Sequence, residues 1–236
     1  MKIAIVGYGR EGQSSYKYFS RDSLNDITIC DIDPNITVPN VKTQTGDKYL
    51  DNLNEFDLII RSSGINPKLI LNKNPLVKDK ITTQLNIFLK RSKSKNIIGI
   101  TGTKGKGTTS TLIHKILTES GYHSILAGNL GIPFLDVIDK INPETYVVIE
   151  LSSFQLDDLK EKSPHISLCL MISEDHINWH GNFNNYLRAK SNLFKNQNES
   201  DIAIYLSNNK YSKKIANYSP ANKKIPYMSS HGANIE

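Results

Sequence analysis

Cysteine is scarce in this chain: only Cys30 and Cys169 occur among its 236 residues. Each lies inside an apolar, strand-like run, far from the other. That excludes a disulfide framework and a thiolate metal cluster, and leaves both as small buried apolar residues. Long hydrophobic runs are missing as well. The longest, such as IAIVG at 3–7 and YVVIE at 146–150, are strand-length, so no segment reads as a membrane span. Met1 and Lys2 lead straight into a strand pattern with no secretory signal, and a cytoplasmic location is the expectation. Low-complexity tracts and internal repeats are also lacking. Acidic residues are in the minority, 23 against 29 Lys and Arg, for a formal charge of +6 and a pI near 9.1. Such a balance suits an anionic partner, either nucleic acid or nucleotides and phosphates, and charge does not choose between them. The densest basic run, Lys90, Arg91, Lys93 and Lys95, alternates with serine between two apolar segments. It reads as a solvated linker rather than a nucleic-acid surface.

What is present is a regular alternation of apolar strands and helical spacings. Residues 2–6 form a strand ending at Gly7, a helical stretch runs to Ser20, DITICDID supplies a second strand and FDLII at 56–60 a third. Gly64 and Pro67 in RSSGINP are expected to stop regular structure. The alternation restarts beyond the basic run. It gives strands at 96–100, 124–127, 145–150, 166–172 and 201–206, with helices at 108–120, 133–139, 155–161 and 182–196 between them. Strands this uniformly apolar belong to parallel sheets covered by helices. The expected fold is α/β: a Rossmann-like domain over 1–90, then a P-loop ATPase-like domain over 96–236 that is incomplete at its C-terminal end.

The second domain opens with GTKGKGTT: Gly102, Thr103, Lys104, Gly105, Lys106, Gly107, Thr108 and Thr109. Glycines let successive N–H groups point inward, and the helix that follows adds its positive end, a combination that cradles phosphate. Lys106 is placed to reach the β- and γ-phosphates, and a hydroxyl from Thr108 or Thr109 to ligate Mg²⁺. The usual P-loop spacing fails, because Ile100 and Gly107 stand where a glycine and a Ser/Thr are required. The strand before and helix after are nevertheless those of a phosphate loop. Glu150 ends a strand at the same sheet edge and is a candidate magnesium ligand. His176 and His180 have zinc-like spacing, but no third ligand is evident. In the first domain, Gly7, Gly9 and Gly12 with Asp31 nineteen residues on make a dinucleotide fingerprint, which by itself favours NAD.

Three motifs in one order, ITGTKGKGTT, VVIELSSFQL and SEDHINWHGNFNNYLRAK, resemble the Mur ligases, ATP-dependent amino-acid ligases of peptidoglycan precursor synthesis. ELSSFQL and the opening VGYGREGQSS are similar to the branch that adds D-glutamate to UDP-N-acetylmuramoyl-L-alanine. The resemblance implies ATP phosphates on Lys106, Mg²⁺ near Thr108 or Thr109 and on Glu150, and His176 at a second metal or the substrate. It implies a carbamylated lysine at Lys190, which the residue pattern alone leaves as an ordinary helix-surface lysine. Asn129 and Ser152 match positions near the L-alanyl end of the substrate. In the first domain the family places UDP where NAD is otherwise expected, with N–H groups around Gly9, Arg10 and Glu11 on the diphosphate and Asp31 near the uracil.

The implied reaction forms an acyl phosphate from ATP and the substrate carboxylate, from which the D-glutamate amine displaces phosphate. No residue here matches the family's third, amino-acid-binding domain, so the chain by itself is expected to bind nucleotide without completing ligation. Asn86 also stands where the family has an acidic residue. The alternatives are an NAD-dependent oxidoreductase and a non-catalytic nucleotide-binding module derived from such a ligase. No nucleic-acid partner and no membrane insertion are expected.

Overall fold

The computed structural model describes residues 1–129 and 131–228, and the polar stretch SSHGANIE lies outside them. The chain divides into two units, Met1–Ile87 and Phe88–Glu236.

The first unit is a β-α-β unit extended on both sides: β1 (Lys2–Val6), α1 (Arg10–Phe19), β2 (Asp26–Asp31), β3 (Lys42–Thr45), β4 (Leu58–Arg61), α2 (Pro67–Lys73) and β5 (Ile81–Thr82). All neighbouring strands pair in parallel in the order β3-β2-β1-β4-β5. The central strand β1 is buried from Ile3 through Val6, as a run without alternation requires when helices cover both faces. Three features depart from the sequence pattern. The edge strand β3 (KTQT) is largely polar and exposed, so it carries no apolar signal. Pro67 opens α2 instead of stopping structure: it occupies the first turn, where a missing N–H costs nothing, and the Asn66 side chain accepts from Lys68 N. The basic run is only partly a linker, because Lys90 and Arg91 close α3 (Gln84–Arg91), where cations suit the helix C-terminus and Leu85, Phe88 and Leu89 are buried.

The second unit contains β6 (Ile97–Thr101), α4 (Lys106–Glu119), β7 (Ser124–Gly128), α5 (Phe134–Val137), β8 (Tyr146–Glu150), α6 (Ser153–Leu156), β9 (Ile166–Cys169), α7 (Ile177–His180), α8 (Phe183–Lys195), β10 (Ile202–Leu206), α9 (Lys210–Ala216) and β11 (Lys223–Tyr227). Its described strands form a parallel sheet in the order β11-β10-β9-β6-β8-β7. Strand β6 sits where the order of winding reverses, so a crevice opens at its carboxyl end. The expected helix at 155–161 is replaced by the single turn α6, because Ser152 and Gln155 form a capping box that starts it earlier. The strand expected to reach 172 ends at Cys169, and beyond it Leu170 N still donates to Thr101 O and Met171 O accepts from Thr103 N as the chain passes the glycine loop. Helix α8 buries Tyr186, Leu187, Ala189, Lys190, Leu193 and Phe194. That stripe puts Lys190 on the inner face of the helix rather than on its surface.

Candidate nucleotide site

The glycine loop leaves β6 at Gly102 and enters α4 through Gly105, whose φ of +84° makes it a left-handed cap with no side-chain cap of its own. The first-turn N–H groups of α4 are thus left for an external acceptor. The loop is held from behind by Thr103. Its N–H donates to Met171 O at 2.8 Å, and its hydroxyl accepts from Ser173 N–H at 3.0 Å and lies 2.8 Å from Tyr186 Oη. Lys104 is exposed. Lys106 folds its ammonium over the loop, donating to Gly102 O at 3.1 Å and Thr103 O at 3.2 Å. Thr108 is exposed and Thr109 half-buried, and neither hydroxyl has a protein partner among the described residues.

Two buried groups of opposite tendency flank this loop. Lys190, only 2% exposed, donates to Thr101 Oγ1 at 3.1 Å and Gly102 O at 2.9 Å, with its Nζ 4.9 Å from the Tyr186 ring centroid. Burial first, and the neighbouring Lys106 charge second, lower its pKa to about 7, against the opposing pull of Cys169, Asp175 and Glu150. Glu150, 1% exposed, uses Oε1 to accept from Asn129 Nδ2 at 3.1 Å, while Oε2 is buried with no partner. A buried carboxylate oxygen left unpaired is costly in isolation and fits a cation. Among the described residues no three His, Cys, Asp or Glu converge as a metal cage. Magnesium carried by a triphosphate needs only one or two protein oxygens, since phosphates and water supply the rest. Glu150 and a first-turn threonine meet that requirement.

His176 has φ +52° and caps α7. Its ring stands 4.7 Å from Phe154, which also contacts Trp179 at 4.7 Å and stacks on His180 at 5.8 Å. His180 Nε2 lies 3.0 Å from Ser153 Oγ, both buried, so this histidine ties the two motif loops together rather than facing a ligand. Ser152 serves as the cap of α6. The structure therefore gathers Lys106, Lys190, Glu150, Asn129 and the loop backbone around one crevice, and sets His176 on the aromatic cluster beside it. Tyr186 escapes sequence reasoning. Its only signal is a position four residues before Lys190 on one helix, which places both on one face.

In the first unit, α1 likewise starts from a glycine, Gly9, with no side-chain cap, and Arg10 beside it is exposed. Gly12 is obligatory: a Cβ there would meet Gly7 O at 2.0 Å. Asp31 accepts from Tyr8 N at 2.6 Å and Asp33 N at 2.9 Å, and Glu11 accepts from Ser63 N at 2.6 Å. Both acids thus help to hold the turn.

The second unit is thus a parallel α/β sheet whose central strand ends in a lysine-bearing glycine loop, with a buried carboxylate and a buried amine beside it. The Mur ligase middle domain family matches residues 100–235. The chain is 32% identical over 221 residues to a UDP-N-acetylmuramoylalanine–D-glutamate ligase of Clostridium kluyveri, covering 88% of this chain and 47% of that protein. It is 36% identical over 216 residues to the enzyme of the same name from Clostridium novyi, with coverages of 86% and 46%. This chain belongs to the Mur ligase family. It spans about half the length of the curated relatives it matches. The fold is shared with a UDP-N-acetylmuramate:L-alanyl-gamma-D-glutamyl-meso-diaminopimelate ligase of Neisseria meningitidis at TM-score 0.58 and 15% identity, over 98% of this chain and 79% of that one. A murein peptide ligase of Psychrobacter arcticus gives TM-score 0.53 at 15% identity, over 96% of this chain and 53% of that one.

Proposed function

We propose that this chain is the nucleotide-handling part of an ATP-dependent ligase that joins D-glutamate to UDP-N-acetylmuramoyl-L-alanine. The carrying observation is the convergence of Lys106, buried Lys190 and the unpaired Oε2 of Glu150 on one glycine loop. The α4 N–H groups and Lys106 bind the terminal phosphates and neutralise charge as the substrate carboxylate oxygen bonds to the γ-phosphorus and ADP leaves. The D-glutamate nitrogen then attacks the acyl carbon, phosphate departs, and one proton is released as the amide forms. Magnesium, held by Glu150 and Thr108 or Thr109, supplies charge neutralisation at the phosphates when bound.

Lys190 has a role only when its amine is neutral. Its nitrogen lone pair attacks CO₂ and one proton goes to water, turning the neutral amine into a carbamate anion. With His176 it then forms a second oxygen-and-nitrogen surface for a cation. Asn129 fixes the Glu150 carboxylate and lies with Ser152 toward the L-alanyl end. The Gly9-Arg10-Glu11 turn and Asp31 hold the uridine diphosphate end. A location in the cytoplasm, where ATP is supplied, accords with this reaction.

The test is nucleotide titration of this chain and phosphate release by the full-length protein. ATP with Mg²⁺ binds the chain and Lys106→Met weakens that binding about a hundredfold, while release by the full-length protein requires both UDP-N-acetylmuramoyl-L-alanine and D-glutamate. Tight NAD binding with no response to ATP overturns the proposal in favour of an oxidoreductase. ATP binding without phosphate release by the full-length protein leaves a non-catalytic nucleotide module in its place.

A further inference from the structure

A cavity of about 340 Å³ lies at the opposite, amino-terminal end of the second unit's sheet, where β6, β9 and β10 begin, and is lined by Lys95, Lys162, His165, Asn196 and Asp201 among others. Five residues of β6 separate it from the glycine loop, roughly 16 Å at the usual rise of a strand, so the nucleotide crevice does not account for it. The cavity's charge is lopsided. Its one carboxylate, Asp201, has a side chain only 8% exposed, and both oxygens are occupied: Oδ1 by His165 Nδ1 at 2.8 Å and Oδ2 by Asn198 N at 2.7 Å. Lys95 and Lys162 have no ion-pair partner among the described residues, and the Asn196 amide has no hydrogen-bond partner there. The contact to Asp201 fixes the imidazole of His165, whose side chain is 37% exposed, and leaves Nε2 as the free nitrogen.

Three unengaged donor groups, two of them cations, thus border one hollow whose acid already has both oxygens engaged, and His165 Nε2 adds a nitrogen that accepts from a protonated phosphate oxygen or, in the imidazolium form, donates. A carboxylate-held imidazole is also a group preset in orientation. The complement of this set is a compact anion with several acceptor oxygens, and a phosphoryl group offers three. A flat carboxylate offers two and leaves donors unmet.

We propose that this cavity is a second anion site, which binds a phosphoryl group between Lys95, Lys162, Asn196 and His165 Nε2, with Asp201 holding the imidazole in place. The ligand is free phosphate or the phosphate of a small monoester.

The test is an amide-shift NMR titration of the chain with inorganic phosphate and, separately, with glycerol phosphate, at fixed ionic strength set by sodium chloride because exposed ammonium groups are screened. Saturable shifts at Ser163, Asn196 and Asn198 that persist in Lys106→Met are expected. Lys162→Gln, an exposed change that leaves the fold intact, weakens binding about tenfold, as loss of one charge-assisted hydrogen bond does. His165→Gln does the same and Lys95→Gln less. A lower dissociation constant for the monoester assigns the site to phosphorylated metabolites, and a lower one for phosphate assigns it to the free ion. Shifts confined to the glycine loop, shifts reproduced by chloride alone, or unchanged affinity in Lys162→Gln would each overturn the proposal.

Discussion

The two glycine turns of this chain have one shape and different chemistry. Each follows a buried central strand and opens a helix whose glycine cap leaves the first N–H groups unclaimed by a side chain. In the first, Arg10 is exposed, and the acids Glu11 and Asp31 turn inward to hold backbone N–H groups. In the second the charged neighbours are Lys106 on the loop and Lys190 beneath it, with the unpaired Glu150 oxygen beside them. A turn with uncapped amides is enough to seat a diphosphate by backbone alone. To stabilise a phosphoryl group in transfer, cations and a carboxylate for a metal must be added within reach.

The sharpest way to separate the two turns is to damage one and read the other. Gly12→Ala drives a methyl into Gly7 O and is expected to destabilise the first unit by about 3 kcal/mol, seen as faster hydrogen exchange in β1 and β2. ATP affinity at the second turn stays within twofold; a parallel loss there would break the distinction. Next in size is Lys106→Met, which lowers ATP affinity about a hundredfold by removing a charged donor to phosphate and leaves thermal unfolding of the chain unchanged. An isothermal titration gives the answer. Glu150→Gln keeps the shape and the Asn129 contact but removes the anion. It is expected to reduce the gain in ATP affinity on adding Mg²⁺ about tenfold, with affinity in EDTA unaltered.

The smallest effect is a pH dependence. With a folded pKa of about 7 against an ordinary 10.5, Lys190 is charged in both folded and unfolded chain below pH 7, and contributes no slope there. Above pH 7 only the unfolded chain keeps the proton, so folded stability rises with pH, by up to about 1.4 kcal/mol per unit. In CO₂-free buffer, urea unfolding should show the wild type gaining about 1 kcal/mol on Lys190→Met between pH 7 and 8. A parallel pair of curves would mean that the amine is not desolvated in solution. Uptake of ¹³CO₂ at the same nitrogen should follow the same rise.

Much of the fold was legible because apolar strands buried on both faces leave uninterrupted runs such as IAIV and YVVIE. The parts that were not legible have local causes. β3 is a polar edge, α6 is one turn set by a cap, and Pro67 begins a helix where a lone proline reads as a break. In the site, Lys106 and Glu150 could be picked out because motif and strand end coincide there. Tyr186 and Phe154 could not, and His180 drew notice only for its spacing from His176, since their partners lie far along the chain: Thr103 is 83 residues from Tyr186, and Ser153 is 27 from His180.

By itself the order of residues determined the alternation of strand and helix, the glycines that no other residue can replace, and the motif order that marks the family. Those are properties of neighbours, which spacing records. Tertiary structure alone decided that Lys190 is buried beneath the glycine loop with its pKa lowered by that burial, and that one oxygen of Glu150 is left without a partner. Desolvation and unmet hydrogen bonds are set by what packs around a group, and that packing is assembled from segments the sequence keeps apart.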